Sequence, residues 1–222
     1  MLAKAIAGFL QLSAVLALLL FLPAWTLRYW QAWTYLAVFL GSSLLISIDL
    51  WFRDRRLLER RLKAGPGAEG RKGQNWIRVL ASFCFAALLV IPALDHRFGW
   101  SGVPGALIVV GNSLVAVGFL IVYLVFRANS FTAGTIEISC EQTVATTGPY
   151  AVIRHPMYAG ALILLLGTPL ALGSFWGLLA LIPMTAALAA RLLDEEKLLA
   201  AELPGYREYC RTVRFHLVPF VW

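Results

Sequence analysis

The chain alternates long apolar runs with short polar breaks, and the length of each run predicts its element. Ala5 to about Ala24 reads as a first membrane helix, because a helical span of the hydrocarbon core takes about 20 mostly apolar residues. A basic residue ahead of it, Lys4, gives it the look of a signal peptide, but the run is longer than such a core and no small-residue cleavage site follows. A Trp- and Tyr-rich connection, Trp25 to Trp33, suits the membrane interface, where amphipathic rings are favoured. Further spans are predicted at about Tyr35 to Trp51, Trp76 to Leu94 and Pro104 to Phe126, with a short turn from Asp95 to Trp100. Gly105, Gly111 and Gly118 in the fourth span form a small-residue face on which a neighbouring helix could pack closely.

The apolar stretch Tyr158 to Ala190 runs for about 33 residues, too long for one span and short for two. A helical hairpin accommodates it, with Pro169 and the G-x-x-x-G segment Gly173 to Gly177 supplying the bend. After Arg191 the pattern stays helical until Pro204-Gly205. A second short helix then carries Tyr206 and Tyr209 on one face, and the chain closes extended through Arg214, His216 and Pro219. The prediction is an all-α integral membrane protein: four transmembrane helices, a C-terminal helical hairpin (five to six membrane segments) and a C-terminal cytoplasmic tail. It divides at Arg127, into transmembrane helices over 1–126 and a core over 127–222.

Composition supports this class. Hydrophobic residues make up 60% of the 222 and charged ones 14%, against roughly 25% charged in soluble domains. The net charge of +7 would suggest nucleic acid in a soluble protein. Here the basic residues flank apolar runs, so they read as topology signals and nucleic acid is excluded as a partner. The basic loop 52–75, with Arg53, Arg55, Arg56, Arg60, Arg61, Lys63, Arg71 and Lys72, is expected on the cytoplasmic side, which puts both termini there too. Its first half continues helically before Gly65-Pro66-Gly67 breaks it, and such a helix could touch anionic lipid head groups. Cys84, Cys140 and Cys210, and His96, His155 and His216, show no disulfide or metal-ligand spacing, so no metal is predicted.

The stretch from Gly148 to Gly160 packs an Arg, a His, two Tyr and two Pro between apolar runs. Pro156 suits the first position of a helix, with His155 at the N-cap, where unpaired N–H groups favour an anionic group. Three polar clusters are expected on one face: Arg127, the Arg154-His155-Pro156-x-Tyr158 turn, and Arg191 with Glu195 and Glu196. Both signs of charge in one pocket suit a zwitterionic ligand.

G-P-Y-x-x-x-R-H-P-x-Y-x-G, then about thirty apolar residues, then R-x-x-x-E-E-x-x-L and G-Y-x-x-Y-x-x-x-V-R-F resembles the isoprenylcysteine carboxyl methyltransferase family and its phospholipid methyltransferase relatives. The segment from Arg127 to Gly134 also resembles what precedes that motif, so the resemblance covers Arg127 to Pro219. It implies S-adenosylmethionine, held by Tyr150, Arg154, His155, Tyr158 and Glu195 or Glu196, and a lipophilic or lipidated acceptor entering from the membrane lipids. Adjacent helical residues point about 100° apart, so one glutamate should reach the ligand, and Glu196 is favoured. Arg127 and Arg191 are the candidates for orienting an acceptor carboxylate through bidentate bonds. Three other functions are weighed against this carboxyl methyltransferase: an NADPH-dependent sterol reductase with a similar turn, a phospholipid amine N-methyltransferase and a non-enzymatic membrane scaffold. Oligomeric state is left open.

Overall fold

A computed structural model describes residues 2–63, 72–132, 143–219 and 221. The Gly65-Pro66-Gly67 break, Ala133-Gly134, Cys140 and Trp222 lie outside the described residues. Among these the structure is all helical: α1 (Leu2–Ala24), α2 (Trp30–Arg53), α3 (Arg55–Lys63), α4 (Lys72–Phe98), α5 (Gly105–Ala128), α6 (Pro156–Ala171), α7 (Leu181–Glu202) and α8 (Tyr206–Thr212). Two 3-10 turns, Gly148–Ala151 and Trp176–Ala180, precede α6 and α7. Among the described residues, five segments are long and apolar enough to cross a membrane: α1, α2, Trp76–Phe98, α5 and Trp176–Glu202.

The sequence-based spans hold, but most helices are longer than the apolar pattern alone indicates. α2 begins at Trp30 and α4 runs to Phe98. The segment expected as a turn from Asp95 is therefore the last turn of α4, because Asp95 is buried and pulled into the packing by its partners. The hairpin is asymmetric. α6 has 16 residues, about 24 Å at 1.5 Å per residue, which falls short of the hydrocarbon core.

What fixes the depth of this short helix is its contact with α5, the most extensive helix pair in the bundle. A Cβ added at Gly118 would lie 2.6 Å from the Gly160 carbonyl oxygen, and one at Gly111 2.2 Å from the Ala171 nitrogen. From the other side, a Cβ at Gly167 would lie 2.5 Å from the Gly111 oxygen. Gly111 and Gly118 on α5, and Gly160 and Gly167 on α6, thus pair at matched seven-residue spacing and let the backbones touch. Gly105, expected on the same face, has nothing within 4 Å.

At the end of the bundle away from the Arg154 turn, Asp95 ties three segments together. Its carboxylate accepts from the Ser101 N–H and Ser101 Oγ, both at 2.6 Å, and from Ser174 Oγ in the hairpin turn. Ser174 Oγ in turn accepts from Gly177 N at 3.0 Å. Nearby, the buried Tyr29 hydroxyl donates to the Leu172 carbonyl at 2.6 Å, one of the carbonyls left over where α6 ends. The bend predicted at Pro169 and Gly173–Gly177 is therefore where the chain turns, with Gly173 at φ +76.

Two stability outcomes follow. Gly118→Ala should lower the thermal midpoint of the purified protein in detergent, by about 1–3 kcal/mol of overpacking, while Gly105→Ala should leave it unchanged. Asp95→Ala should cost a similar amount, about 1–3 kcal/mol, by stranding buried donors, measured by the same melt.

Candidate functional site

The polar turn is built by glycine and proline. Gly148 adopts φ +60, which a side chain would strain, and starts the 3-10 turn that carries Tyr150. Pro156 then opens α6 at its first position, where a missing N–H costs nothing. His155 is the flanking N-cap residue as predicted, but its side chain makes no cap hydrogen bond. The turn is held at Tyr150 from two sides. Asn129, just past the end of α5, reaches its hydroxyl at 3.4 Å, and the Tyr209 hydroxyl donates to its carbonyl at 2.7 Å.

Arg154 is the hub. Its Nε donates to the Val213 carbonyl at 2.7 Å, one Nη to the Cys210 carbonyl at 2.9 Å and the other to Glu196 Oε1 at 2.6 Å. Cys210 and Val213 supply carbonyls at the C-terminal end of α8, where a cation is favoured by the helix dipole and by unpaired acceptors. The backbone joins in: Arg154 N donates to Phe215 O at 2.9 Å and His155 N to His216 O at 3.0 Å. The extended tail after α8 is thereby laid along the turn before α6.

Glu195 and Glu196 diverge as adjacent helical residues must. Glu196 uses one oxygen for Arg154 and the other for His216 Nε2 at 2.9 Å. Glu195 accepts from the Tyr158 hydroxyl at 2.5 Å, and Arg191, one turn back on α7, also reaches that hydroxyl. Two adjoining clusters result: the triangle Arg154–Glu196–His216, and Tyr158 with Glu195 and Arg191 on its hydroxyl. The expectation that favoured Glu196 for a ligand meets a side chain already committed to the tail.

Between the clusters sits His155, 4% exposed, whose Nε2 has no hydrogen-bond partner among the described residues. Its ring is edge-on to Tyr158 at 5.9 Å and parallel to His216 at 6.5 Å. Burial pulls its pKa down to about 4, outweighing the Glu196 carboxylate, with His216 and Arg154 pushing the same way as burial. The imidazole is neutral at neutral pH. An unpaired buried nitrogen costs free energy unless something bonds it.

Of the predicted residues, Tyr150, Arg154, His155, Tyr158, Arg191, Glu195 and Glu196 are brought to one region. Arg127 is not joined to it by any described contact. It is exposed, donates to Tyr123 on its own helix at 3.1 Å and feels the Asp49 carboxylate of α2. The sequence pattern assigns His216 no role in the site, though it contacts Glu196 and lies parallel to the His155 ring. Its partner Arg154 lies 62 residues away, and only the tail's resemblance to the family pattern hinted at it. Tyr206 and Tyr209 pack with Leu203 and Val213, as their shared face suggested. A cavity of about 700 Å³, lined by Thr143, Thr146, Gly205, Glu208 and Thr212 among others, flanks α8, and of these residues and the two clusters none is shared. Among the described residues no group of three His, Cys, Asp or Glu is placed to hold a metal ion.

Residues 106–203, from the start of α5 to the end of α7, match the model of the phospholipid methyltransferase family. A curated relative is the cobalt-zinc-cadmium resistance protein CzcN of Cupriavidus metallidurans, 32% identical over 142 residues, which are 60% of this chain and 58% of that protein. The matched segment thus spans little more than half of that relative's length. The family model covers the glycine seam, the Arg154 turn and both glutamates, so this segment is similar to the phospholipid methyltransferase family.

Proposed function

We propose that this protein is an S-adenosylmethionine-dependent methyltransferase at the cytoplasmic face of a membrane, acting on a lipophilic acceptor, with the carboxylate of a prenylcysteine-like compound as the first choice. The observation that carries the reading is the buried Nε2 of His155, which has no hydrogen-bond partner among the described residues and is set between two hydrogen-bonded acid–base clusters. The cytoplasmic assignment rests on the positive-inside rule, since this end of the bundle also carries the arginines of α3.

The residues suit the cofactor. A neutral His155 can donate an N–H to a carboxylate without adding charge, Glu195 can take an ammonium or ribose hydroxyl, and the Tyr158 ring can face a sulfonium cation. Glu196 we assign to holding the tail, and Glu195 to the ligand, because both oxygens of Glu196 are engaged by Arg154 and His216. Arg154 and Tyr150 are then positioning residues. When bound, S-adenosylmethionine supplies an electrophilic methyl group on a sulfonium.

An acceptor carboxylate is already ionised at neutral pH, so it needs orientation and no base. Arg191, half-buried beside Tyr158, is placed to give that orientation through its planar fork. Arg127 we drop from this role on its contacts with Tyr123 and Asp49.

A phospholipid amine acceptor is the second reading, favoured by the family whose model matches residues 106–203. An amine must lose a proton before it attacks, so this reading requires a carboxylate such as Glu195 to take it. The relative's name speaks of metal resistance, but we propose no metal site, given the ligand sets available.

Calorimetry of the full chain with S-adenosylhomocysteine should give binding that falls at least about tenfold in Glu195→Gln and in His155→Ala, each loss amounting to a hydrogen bond of about 1.5–3 kcal/mol to a charged group. No binding by the wild type, together with binding of NADPH, would transfer the protein to the reductase alternative. A methyl-transfer assay with prenylcysteine analogues and phosphatidylethanolamine separates the two acceptors, and Arg191→Lys should depress turnover only with the carboxylate.

The depressed His155 pKa sets a pH dependence. The folded value of about 4 lies below the unfolded one of about 6.5, so the stabilisation is complete above about pH 6.5 and is lost as pH falls toward the folded value. Wild type should lose about 2 kcal/mol more than His155→Gln between about pH 6.5 and about pH 5. Thermal melts of both proteins across that window measure the difference.

A further inference from the structure

Arg127 and the arginines of α3 take no part in the site above, yet they gather in one place. α2 ends at Arg53, the backbone leaves the helix at Asp54, and α3 starts afresh with the Asp54 carboxylate accepting from Leu57 N at 3.0 Å. α3 therefore folds across the end of the bundle instead of extending α2. Leu57 and Leu58 are buried and pack with Leu50 and with Phe126 near the end of α5. The opposite side of α3 presents Arg55 and Arg56, both exposed.

Three arginines of α3 lie over aromatic rings, at distances of 4.8 Å for Arg55 on Trp51, 5.3 Å for Arg60 on Phe131 and 4.4 Å for Arg61 on Phe126. A guanidinium stacked by its face keeps its N–H edge for a planar or tetrahedral anion. Arg60 also donates to the Ser130 carbonyl at 3.4 Å, which ties α3 to the end of α5 beside Arg127. In all, Arg53, Arg55, Arg56, Arg60, Arg61 and Arg127 face three acids, Asp49, Asp54 and Glu59. Two of those acids are engaged locally: Asp49 pairs with Arg53 at 3.1 Å, and Asp54 caps α3.

We propose that the ends of α2, α3 and α5 form a binding surface for the phosphate head groups of anionic phospholipids. The level is right, because Trp51 and Arg53 close a membrane-spanning helix and Phe52, 81% exposed, stands beside them where acyl chains meet head groups. The charge is right as well: a net cationic face at a lipid boundary meets anionic head groups before any soluble partner. Rings hold the guanidinium groups in place, so less side-chain freedom is lost when a phosphate binds. The surface also adjoins the candidate site, since Met157 of the His155 turn packs against the same Leu57–Leu58–Phe126 cluster. It does not depend on which reaction that site performs.

The test uses the full chain purified in a neutral detergent and titrated with phosphatidylglycerol or phosphatidylcholine, lipid binding being read by native mass spectrometry and by thermal melting. Wild type should prefer phosphatidylglycerol by at least about tenfold, and the triple variant Arg55→Gln/Arg56→Gln/Arg60→Gln should lose most of that preference. The matching triple Lys variant should keep the charge-driven part and fall between the two. A triple Gln variant that is folded by circular dichroism and keeps the full preference overturns the proposal. Equal binding of the two lipids by wild type does so too. Inorganic phosphate competing as tightly as the lipid would also overturn it, by identifying a soluble anion as the occupant. If the Gln variant does not fold, wild type at about 0.5 M salt decides, since exposed charges are then screened over a few Å: a preference that persists there sinks the idea.

Discussion

A short helix that cannot cross a bilayer must be told where to stop, and the α5–α6 glycine seam does this. With Gly118 against Gly160 and Gly111 against Gly167, the backbones meet at two points one heptad apart. Sliding α6 by a single residue would bring Leu or Ala side chains onto a carbonyl that now sits at van der Waals distance, so only one register is available. Because α5 is long enough to span and α6 is not, the seam transfers depth from one to the other. The polar turn before α6 is thus set level with the end of α5, where Asn129 meets Tyr150. The opposite end is pinned independently by Asp95 and Tyr29, whose partners lie in the hairpin turn.

Given that fixed turn, the site is completed by a segment far away in sequence. Arg154 is a poor candidate for a mere interface anchor, because its three nitrogens are spent on Cys210, Val213 and Glu196. Partly buried ion pairs bring little net stability when measured against apolar replacements, although removing one member strands the other. What this pair contributes is assembly: α7, α8 and the tail meet around one guanidinium. His216 arrives by that route, on a strand of tail held by backbone hydrogen bonds to residues 154 and 155. The burial of His155 is therefore coupled to docking of the tail.

Much of this was legible beforehand, and the divide has a physical cause. Spans, the hairpin bend and the helix start at Pro156 are local, written in apolar run length and in glycine and proline placement. The small-residue face of α5 could be read too, but not which members met a partner: Gly105 carries the same residue type and lies open, since α6 ends before reaching it. The glutamate pair was legible only as a divergence. Which one turned toward the tail depended on Arg154 and His216, and no periodicity on α7 encodes residues that fold back from the other side of α8. Arg127 was grouped with the turn because it ends the preceding helix, yet it lies toward α2, a rotation about the α5 axis that an end-of-helix argument does not specify.

The arginines make the general point. Arg154, Arg191, Arg127 and Arg60 carry the same charge and all lie near the same end of the bundle, and a charge count treats them alike. The neighbours separate them. Arg154 meets helix-end carbonyls and an acid and becomes a clasp, while Arg191 meets the Tyr158 hydroxyl. Arg127 and Arg60 meet the rings of Tyr123 and Phe131. Positive-inside bias thus supplies a pool of guanidinium groups at one face. Packing then divides that pool into members held by carbonyls and acids and members laid over rings.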